Sequence, residues 1–470
     1  MDTAQTRSQR AAASTRSALL LAALCGAAFL EGIDVAMFNI ALPVIREALA
    51  LPTVELQWII SGYVIAYGGF MLLGGHTADV FGRRRVFLIA LVVFIGVSAL
   101  GGIAPSGALI IAVRVITGIA AAFLMPAGLA IITTSFPEGP QRDRAVLVYA
   151  GIGAAGFSLG LVAGGVLTTF GWRWVFFAPV VLALLVLALA LPLIPRDVPS
   201  AGPRRSIDLL GAMLVTGAVV LTVTAIESAA HGVGVTSALL GAIAVVLFVL
   251  FAARQRVAAD PLVPLALLRD GRLINAYIGA GCLAAGFMGF QFIVVLYLQE
   301  LRGWSALTTA LALLVVAIDA ILAPTLTPVL VRRFGLWRVI AAGMGFSALA
   351  FVLFLGVALD WTYQMMLPSF LALGIAFTLA YGPLTIAATD GVDEASRGLT
   401  SGLLYTVFQF GAAIGLAFAT AVQVSALAAG TGQLESYRTA LLVPLAAGVI
   451  GIVVTLPRAL KAPRPCTAAG

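Results

Sequence analysis

The 470-residue chain is 61% hydrophobic and only 10% charged, where an ordinary soluble domain is roughly 25% charged. No stretch is polar enough to supply the surface of a water-soluble catalytic or ligand-binding domain, so lipid is the solvent for most of the chain. The formal charge of +7 is carried by cations in small clusters between apolar runs, a pattern of membrane topology and not of a nucleic-acid surface.

Taken in chain order, Arg7, Arg10 and Arg16 precede an apolar run from Ala18 to Ile45, which is too long for a signal peptide and reads as a retained first helix. Leu24 is too large to precede a lipoprotein cleavage site at Cys25. Cys25, Cys282 and Cys466 have no motif spacing and predict neither disulfide nor metal site. Apolar segments of membrane-crossing length are expected near 17–45, 54–74, 86–104, 107–132, 144–169, 174–194, 208–229, 237–254, 273–298, 305–330, 337–358, 363–388, 398–426 and 439–457. With the amino terminus inside, only Arg46, Arg173, Arg302 and Arg438 fall outside and Arg114 lies within a span. Every other Lys and Arg is on an inner segment, so both termini are expected in the cytoplasm.

The sequence repeats itself weakly at an offset of about 253 residues. Gly75, Asp79, Gly82 and Arg85 align with Pro328, Arg332, Gly335 and Arg338, and at a nearly equal offset Gly156 and Gly160 align with Gly411 and Gly415. An all-α membrane protein follows, with two six-helix halves and two inserted central helices. Its parts are a tail at 1–16, a half at 17–195, a linker with the inserted pair at 196–271, a half at 272–458 and a tail at 459–470.

Ionisable residues inside spans are informative because each costs roughly 2.5–3.5 kcal/mol at mid-bilayer. Glu31 and Asp34, three apart, share a face of the first helix. Two carboxylates this close and partly desolvated resist ionising together, which suits one of them to carrying a proton. Helix rise places Asp34 roughly 16 Å and Arg114 roughly 10 Å from the outer ends of their helices, so a pairing between them is feasible; the alternative role of such a pair is structural neutralisation. Asp319, mid-span ahead of Pro324 and Pro328, would attract a cationic substrate, take a second proton or serve only as a hydrogen-bonded structural group. Glu227, His76 and His231 are expected at solvated edges. Aromatic residues including Phe38, Tyr63, Tyr67, Phe290, Phe292, Tyr381, Tyr405 and Phe408 are candidates to line a cavity.

The stretch Gly75, Asp79, Gly82, Arg83, Arg84 between the second and third spans is expected to reverse the chain in few residues, with Gly82 taking the turn and the arginines at the headgroups. It resembles the signature loop of the major facilitator superfamily. That resemblance implies that Asp79 docks near the start of a helix of the opposite half, beginning around Arg397, as a gating contact; Val80 stands where the family usually has a basic residue. In the first helix, Asp34, Asn39, Leu42 and Pro43 resemble the pattern of the fourteen-helix drug/proton antiporters. Gly156, Gly160, Gly164 and Gly165 resemble their antiporter motif, with Leu161 at its usual proline. Arg114, Thr117 and Gly118 resemble the fourth-helix motif whose arginine is implicated in proton transfer.

The resemblance implies a proton-coupled antiporter of the cell membrane that exports small organic molecules by alternating access. Asp34, Glu31 and Arg114 would couple protons, and Asp319, Asn39, Phe38 and Tyr67 would face substrate. The expected partners are substrate, protons and lipid, with no cofactor beyond the proton gradient, no nucleic acid and a monomeric chain. The same machinery would serve proton-coupled uptake. A membrane-embedded enzyme or sensor is disfavoured, since no cluster of His, Cys or carboxylate ligands stands out.

Overall fold

The computed structural model describes residues 2–137, 139–196, 208–230, 234–258, 260–264, 267–390 and 394–461. Among the described residues fourteen apolar helices are long enough to cross a bilayer: α1 Arg16–Leu49, α2 Thr53–Ala78, α3 Arg83–Gly102, α4 Gly107–Ser135, α5 Arg144–Phe170, α6 Trp174–Leu193, α7 Leu209–Ala230, α8 Val235–Val257, α9 Gly271–Leu301, α10 Ala306–Phe334, α11 Leu336–Leu355, α12 Tyr363–Thr389, α13 Leu399–Ala428 and α14 Gln433–Lys461. Helices satisfy their own backbone groups, which is why so apolar a chain adopts them. Three spans depart from regular α geometry, and one of them, α14, is interrupted at Leu441 between helices Gln433–Ala440 and Leu442–Lys461. The end of α9 widens into a π turn at Tyr297–Leu301, and α10 tightens into a 3-10 stretch at Leu314–Ile318.

The repeat is realised in the packing. α1 lies on α5 and α6, α2 on α4, and α3 on α4 and α6; correspondingly α9 lies on α13 and α14, α10 on α12, and α11 on α12 and α14. The seams are set by small residues. A Cβ at Gly156 would come within 2.6 Å of the Phe29 carbonyl oxygen, and one at Gly160 or Gly164 within 2.8 Å of the Cα of Ile33 or Met37. These three glycines, spaced four apart, therefore bring α5 onto the backbone of α1. In the second half Gly411 and Gly415 press in the same way on the backbones of Gly281 and Ala285.

The aligned loops also match. The chain turns from α2 to α3 at Gly82, with φ of 99°, and from α10 to α11 at Gly335, with φ of 88°, a backbone region that side chains with a Cβ rarely adopt. Where a hydrophilic loop was expected from Gly75 onward, the helix that contains α2 runs on to Phe81 and Gly82 alone makes the turn. Arg84 does not simply face headgroups. Its guanidinium donates to the carbonyls of Ile194 and Leu191, both at 2.7 Å, and so caps the end of α6. Arg83 donates to the Ala130 carbonyl at 3.4 Å.

The end of the bundle that holds Gly82 and Gly335 is here termed the Arg-rich end. The two halves meet where α2 packs on α13 and α5 on α10. Thr406 donates to the Gly68 carbonyl at 3.1 Å, and a Cβ at Gly165 would meet Leu307 of α10 at 2.7 Å. The inserted pair packs by α7 against both α2 and α13, while Leu239, Val245 and Val249 of α8 are exposed to the surroundings. The pair is closed at its Arg-rich end by Asp208. That carboxylate accepts from Arg254 Nε and Gln255 Nε2, each at 2.9 Å, and from the Gly211 N–H at 3.0 Å. Burial pushes the Asp208 carboxyl up, but these hydrogen bonds and the Arg254 charge outweigh it and hold the group below its ordinary value.

Candidate functional site

The charged centre of the molecule is built on α1, α2 and α4. Arg114 of α4 donates from Nη1 to Asp34 Oδ2 of α1 at 2.5 Å, and both residues are only 2% exposed. Its Nε donates to the Ile59 carbonyl of α2 at 3.2 Å. The guanidinium carbon lies 4.0 Å from the ring centroid of Phe38 and 4.2 Å from that of Tyr63. A buried ion pair is tolerated when geometry is good and the remaining donors and charge are met. Here a carbonyl and two aromatic faces meet them. Gly118 allows the arrangement, because a Cβ there would collide with the backbone of Tyr63, so α4 reaches α2 closely enough to set the guanidinium against the ring. Thr117 turns back to its own helix, donating to the carbonyls of Val113 and Arg114.

Glu31 is one turn from Asp34 but is directed elsewhere. It accepts from the Tyr405 hydroxyl of α13 at 3.5 Å, and among the described residues no cation pairs with it. Tyr405 in turn meets Tyr67 edge to face at 5.4 Å between centroids, and Tyr67 meets Tyr63 at 5.7 Å. A continuous aromatic path therefore runs from Arg114 through Tyr63, Tyr67 and Tyr405 to Glu31, crossing from one half to the other. The two carboxylates that share a helix face thus have different partners: one is neutralised by a permanent charge, the other rests on a neutral hydroxyl.

The residues expected to face substrate are distributed differently. Phe38 is 1% exposed and, besides covering Arg114, meets Phe176 edge to face at 4.8 Å between centroids; it forms a wall of the ion-pair pocket and not an open surface. Tyr67 is equally buried, between Tyr63 and Tyr405. Asn39 donates from Nδ2 to the Val35 carbonyl of its own helix at 3.0 Å. Asp319 is half-buried at the first residue of the α-helical segment that follows the 3-10 stretch, and no ion pair to it occurs among the described residues. Phe290 and Phe292 do not line an opening. Both are buried, and Phe290 packs with Phe351, Phe354 and Phe370 inside the second half.

Of the gating stretch, Gly75 lies in ordinary contact with Pro126, while the side chains of Asp79 and of residues 391–398 lie outside the described residues, as does His231. Glu227, half-buried in the last turn of α7, accepts from Trp58 Nε1 of α2 at 2.6 Å. His76 likewise lies within a helix and half-buried. Sequence reasoning named Tyr63 and Tyr405 only among many aromatics and passed over the backbone of Ile59. Spacing on α2 carries a signal for the first, since Tyr63 and Tyr67 are one turn apart, but nothing in the sequence ties Tyr405 to Glu31.

The profile of the Major Facilitator Superfamily matches residues 24–416. The chain belongs to the major facilitator superfamily. As a member it is a multi-pass membrane transporter and not an enzyme. Among curated relatives, the cephamycin export protein of Amycolatopsis lactamdurans is 34% identical over 94% of this chain and 92% of its own length. The lincomycin resistance protein of Streptomyces lincolnensis is 31% identical over 98% and 96%. The multidrug efflux pump of Mycolicibacterium smegmatis is 30% identical over 86% and 80%. A solved peptide transporter in complex with sulfate superposes with a TM-score of 0.69 over 94% of each chain at 17% identity, which shows a shared fold.

Proposed function

We propose that this superfamily member is a proton-coupled antiporter that exports small organic molecules, antibiotics or related secondary metabolites, across the cell membrane by alternating access. The Arg-rich end and both termini would face the cytoplasm, and the chain would work as a monomer. The observation that carries this reading is the buried pair Asp34–Arg114 with Glu31 one turn away on Tyr405 of the opposite half.

Glu31 is the acid that a proton can neutralise without stranding an arginine. Ionised, it accepts from Tyr405 and ties α1 to α13; protonated, it loses the charge that makes that contact favourable, and a neutral carboxyl is buried more readily than a charged one. One protonation event therefore changes the relative energy of two arrangements of the halves, which is all that coupling requires. Asp34 holds Arg114 in place, and protonating it would release the guanidinium toward Tyr63 and the aromatic path. Export in exchange for protons is supported by the relatives, whose names speak of cephamycin export and of lincomycin and multidrug resistance.

The test is a resistance panel including a cephamycin, puromycin and lincomycin in a pump-deficient host, comparing the native chain with Asp34→Asn and Glu31→Gln. We expect resistance to be lost in both variants at unchanged membrane expression. Purified protein in liposomes should then move an identified substrate against an imposed proton gradient. Full resistance in both variants would remove these acids from coupling, and movement of substrate with the proton would make the protein a symporter.

A further inference from the structure

At the Arg-poor end of the bundle a charged pair joins the two halves. Arg46, in the last turn of α1, donates from Nη1 to both carboxylate oxygens of Glu300 on α9, at 2.8 and 2.7 Å. The preceding residue, Gln299, donates from Nε2 to the carbonyl of Ile40 on α1 at 3.0 Å. Gln299 and Glu300 belong to the π turn Tyr297–Leu301. The π turn closes the C-terminal end of α9, where such turns occur, and it sets two consecutive side chains on the same neighbouring helix.

The turn itself is anchored within the second half. Tyr297 donates to the Ala358 carbonyl at 2.7 Å, and Arg302 donates to the Tyr297 hydroxyl and the Trp361 carbonyl at 2.9 and 2.8 Å. Glu300 is thus presented from a fixed platform, and Arg46 reaches it from the other half.

A second observation explains why such a clamp is needed. Asn39 on α1, Gln57 on α2, Gln291 on α9 and Thr420 and Gln423 on α13 lie in the Arg-poor halves of their spans, and each is at least nine-tenths buried. Each carries a polar side-chain atom with no protein partner among the described residues. Burying unpaired amides and hydroxyls disfavours the closed mouth, since opening would let water reach them. Shape complementarity alone, as where Gly165 meets Leu307 and Ala310, leaves that penalty standing.

We infer that Arg46, Glu300 and Gln299 are the gate of the Arg-poor mouth, formed when it is shut and broken when it opens onto the polar layer beneath. The inference rests on alternating access, as proposed above, but not on proton coupling. Its test uses the full chain in nanodiscs with Cys25, Cys282 and Cys466 replaced by alanine and a reporter, Ala310→Cys, at the fully buried contact of α10 with Gly165. Labelling by a water-soluble maleimide should be slow in this parent. It should be roughly five-fold faster after Arg46→Glu or Glu300→Arg, where like charges face each other, and return to the parent rate in the double exchange, which restores the pair with its signs reversed.

Equal rates in all four chains would overturn the gate, and so would a double variant that labels as fast as the singles. Transport by the same four chains keeps the two readings apart. If the labelling pattern holds while none of them moves substrate against a proton gradient, the gate stands and the antiport reading fails.

Discussion

The two halves share one scaffold and differ in what they enclose. Gly156, Gly160 and Gly164 seat α5 on α1, and Gly411 and Gly415 seat α13 on α9, so the packing geometry is common to both. Inside the first half lie Asp34 and Arg114; inside the second, Phe290, Phe351, Phe354 and Phe370 occupy a dry cluster, and α9 is apolar and buried from Phe287 to Leu298 apart from Gln291. The comparison teaches that duplication preserved the close helix contacts while the buried ion pair belongs to one copy. The other copy sets Tyr405 beside Glu31 and carries Glu300 and Asp319.

The sharpest way to break the comparison is Arg114→Ala. It leaves a buried Asp34 without a countercharge, for which removal of one partner costs roughly 3–5 kcal/mol, so we expect a large fall in thermal stability together with loss of transport. Arg114→Lys keeps the charge but loses the Nε bond to Ile59 and the flat contact with Phe38 and Tyr63, and should fall between the two. Phe370→Leu in the second half, by contrast, should cost only the packing of an apolar side chain, about 1–1.5 kcal/mol, with transport retained.

A smaller effect tests what the halves have in common. Gly160→Val and Gly415→Val each drive a branched side chain into a helix backbone, and each should lower stability by about 1–3 kcal/mol in melting of the purified protein. Similar losses in the two variants are expected; a large loss in one and none in the other would mean that the seams are not equivalent.

The inserted pair, which has no duplicate, gives a milder, pH-dependent effect. Because the Asp208 carboxyl is held below its ordinary value in the folded chain, its stabilising contribution is fully present above the ordinary aspartate range and is lost as pH falls through the lowered value. Asp208→Asn should cost about 1 kcal/mol near neutrality, given how exposed Arg254 is, and should remove that acid limb from a plot of melting temperature against pH. Smallest in stability is Tyr405→Phe, expected within about 0.5 kcal/mol of the parent. Its readout is the pH dependence of transport, which should shift because the contact between Glu31 and the other half is gone.

Hydropathy made the spans legible, since length and apolarity are enforced by the bilayer itself, and the aligned glycines exposed the duplication because a positive φ and a backbone contact admit few other residues. The partnership of Asp34 with Arg114 was within reach because both lie at compatible depths on adjoining helices. Glu31 with Tyr405, Arg46 with Glu300 and Trp58 with Glu227 were not, since depth alone does not say how each helix is rotated about its axis. Phe38 was read as a cavity wall for the same reason: an aromatic beside a charged helix face has two sides, and only rotation decides that this ring covers a guanidinium.

The inserted α7 is fastened at its Arg-poor end to both partners at once, through Glu227 to Trp58 on α2 and through the Ala230 carbonyl, which accepts from Ser425 on α13. Under the alternating access proposed above, a hairpin riveted across both sides of the joint would have to slip at one rivet as the joint pivots, and α8, exposed along its flank, would be dragged through lipid. The bilayer would then be a mechanical load on each turnover, and the viscosity of the surrounding lipid would enter the rate of the cycle.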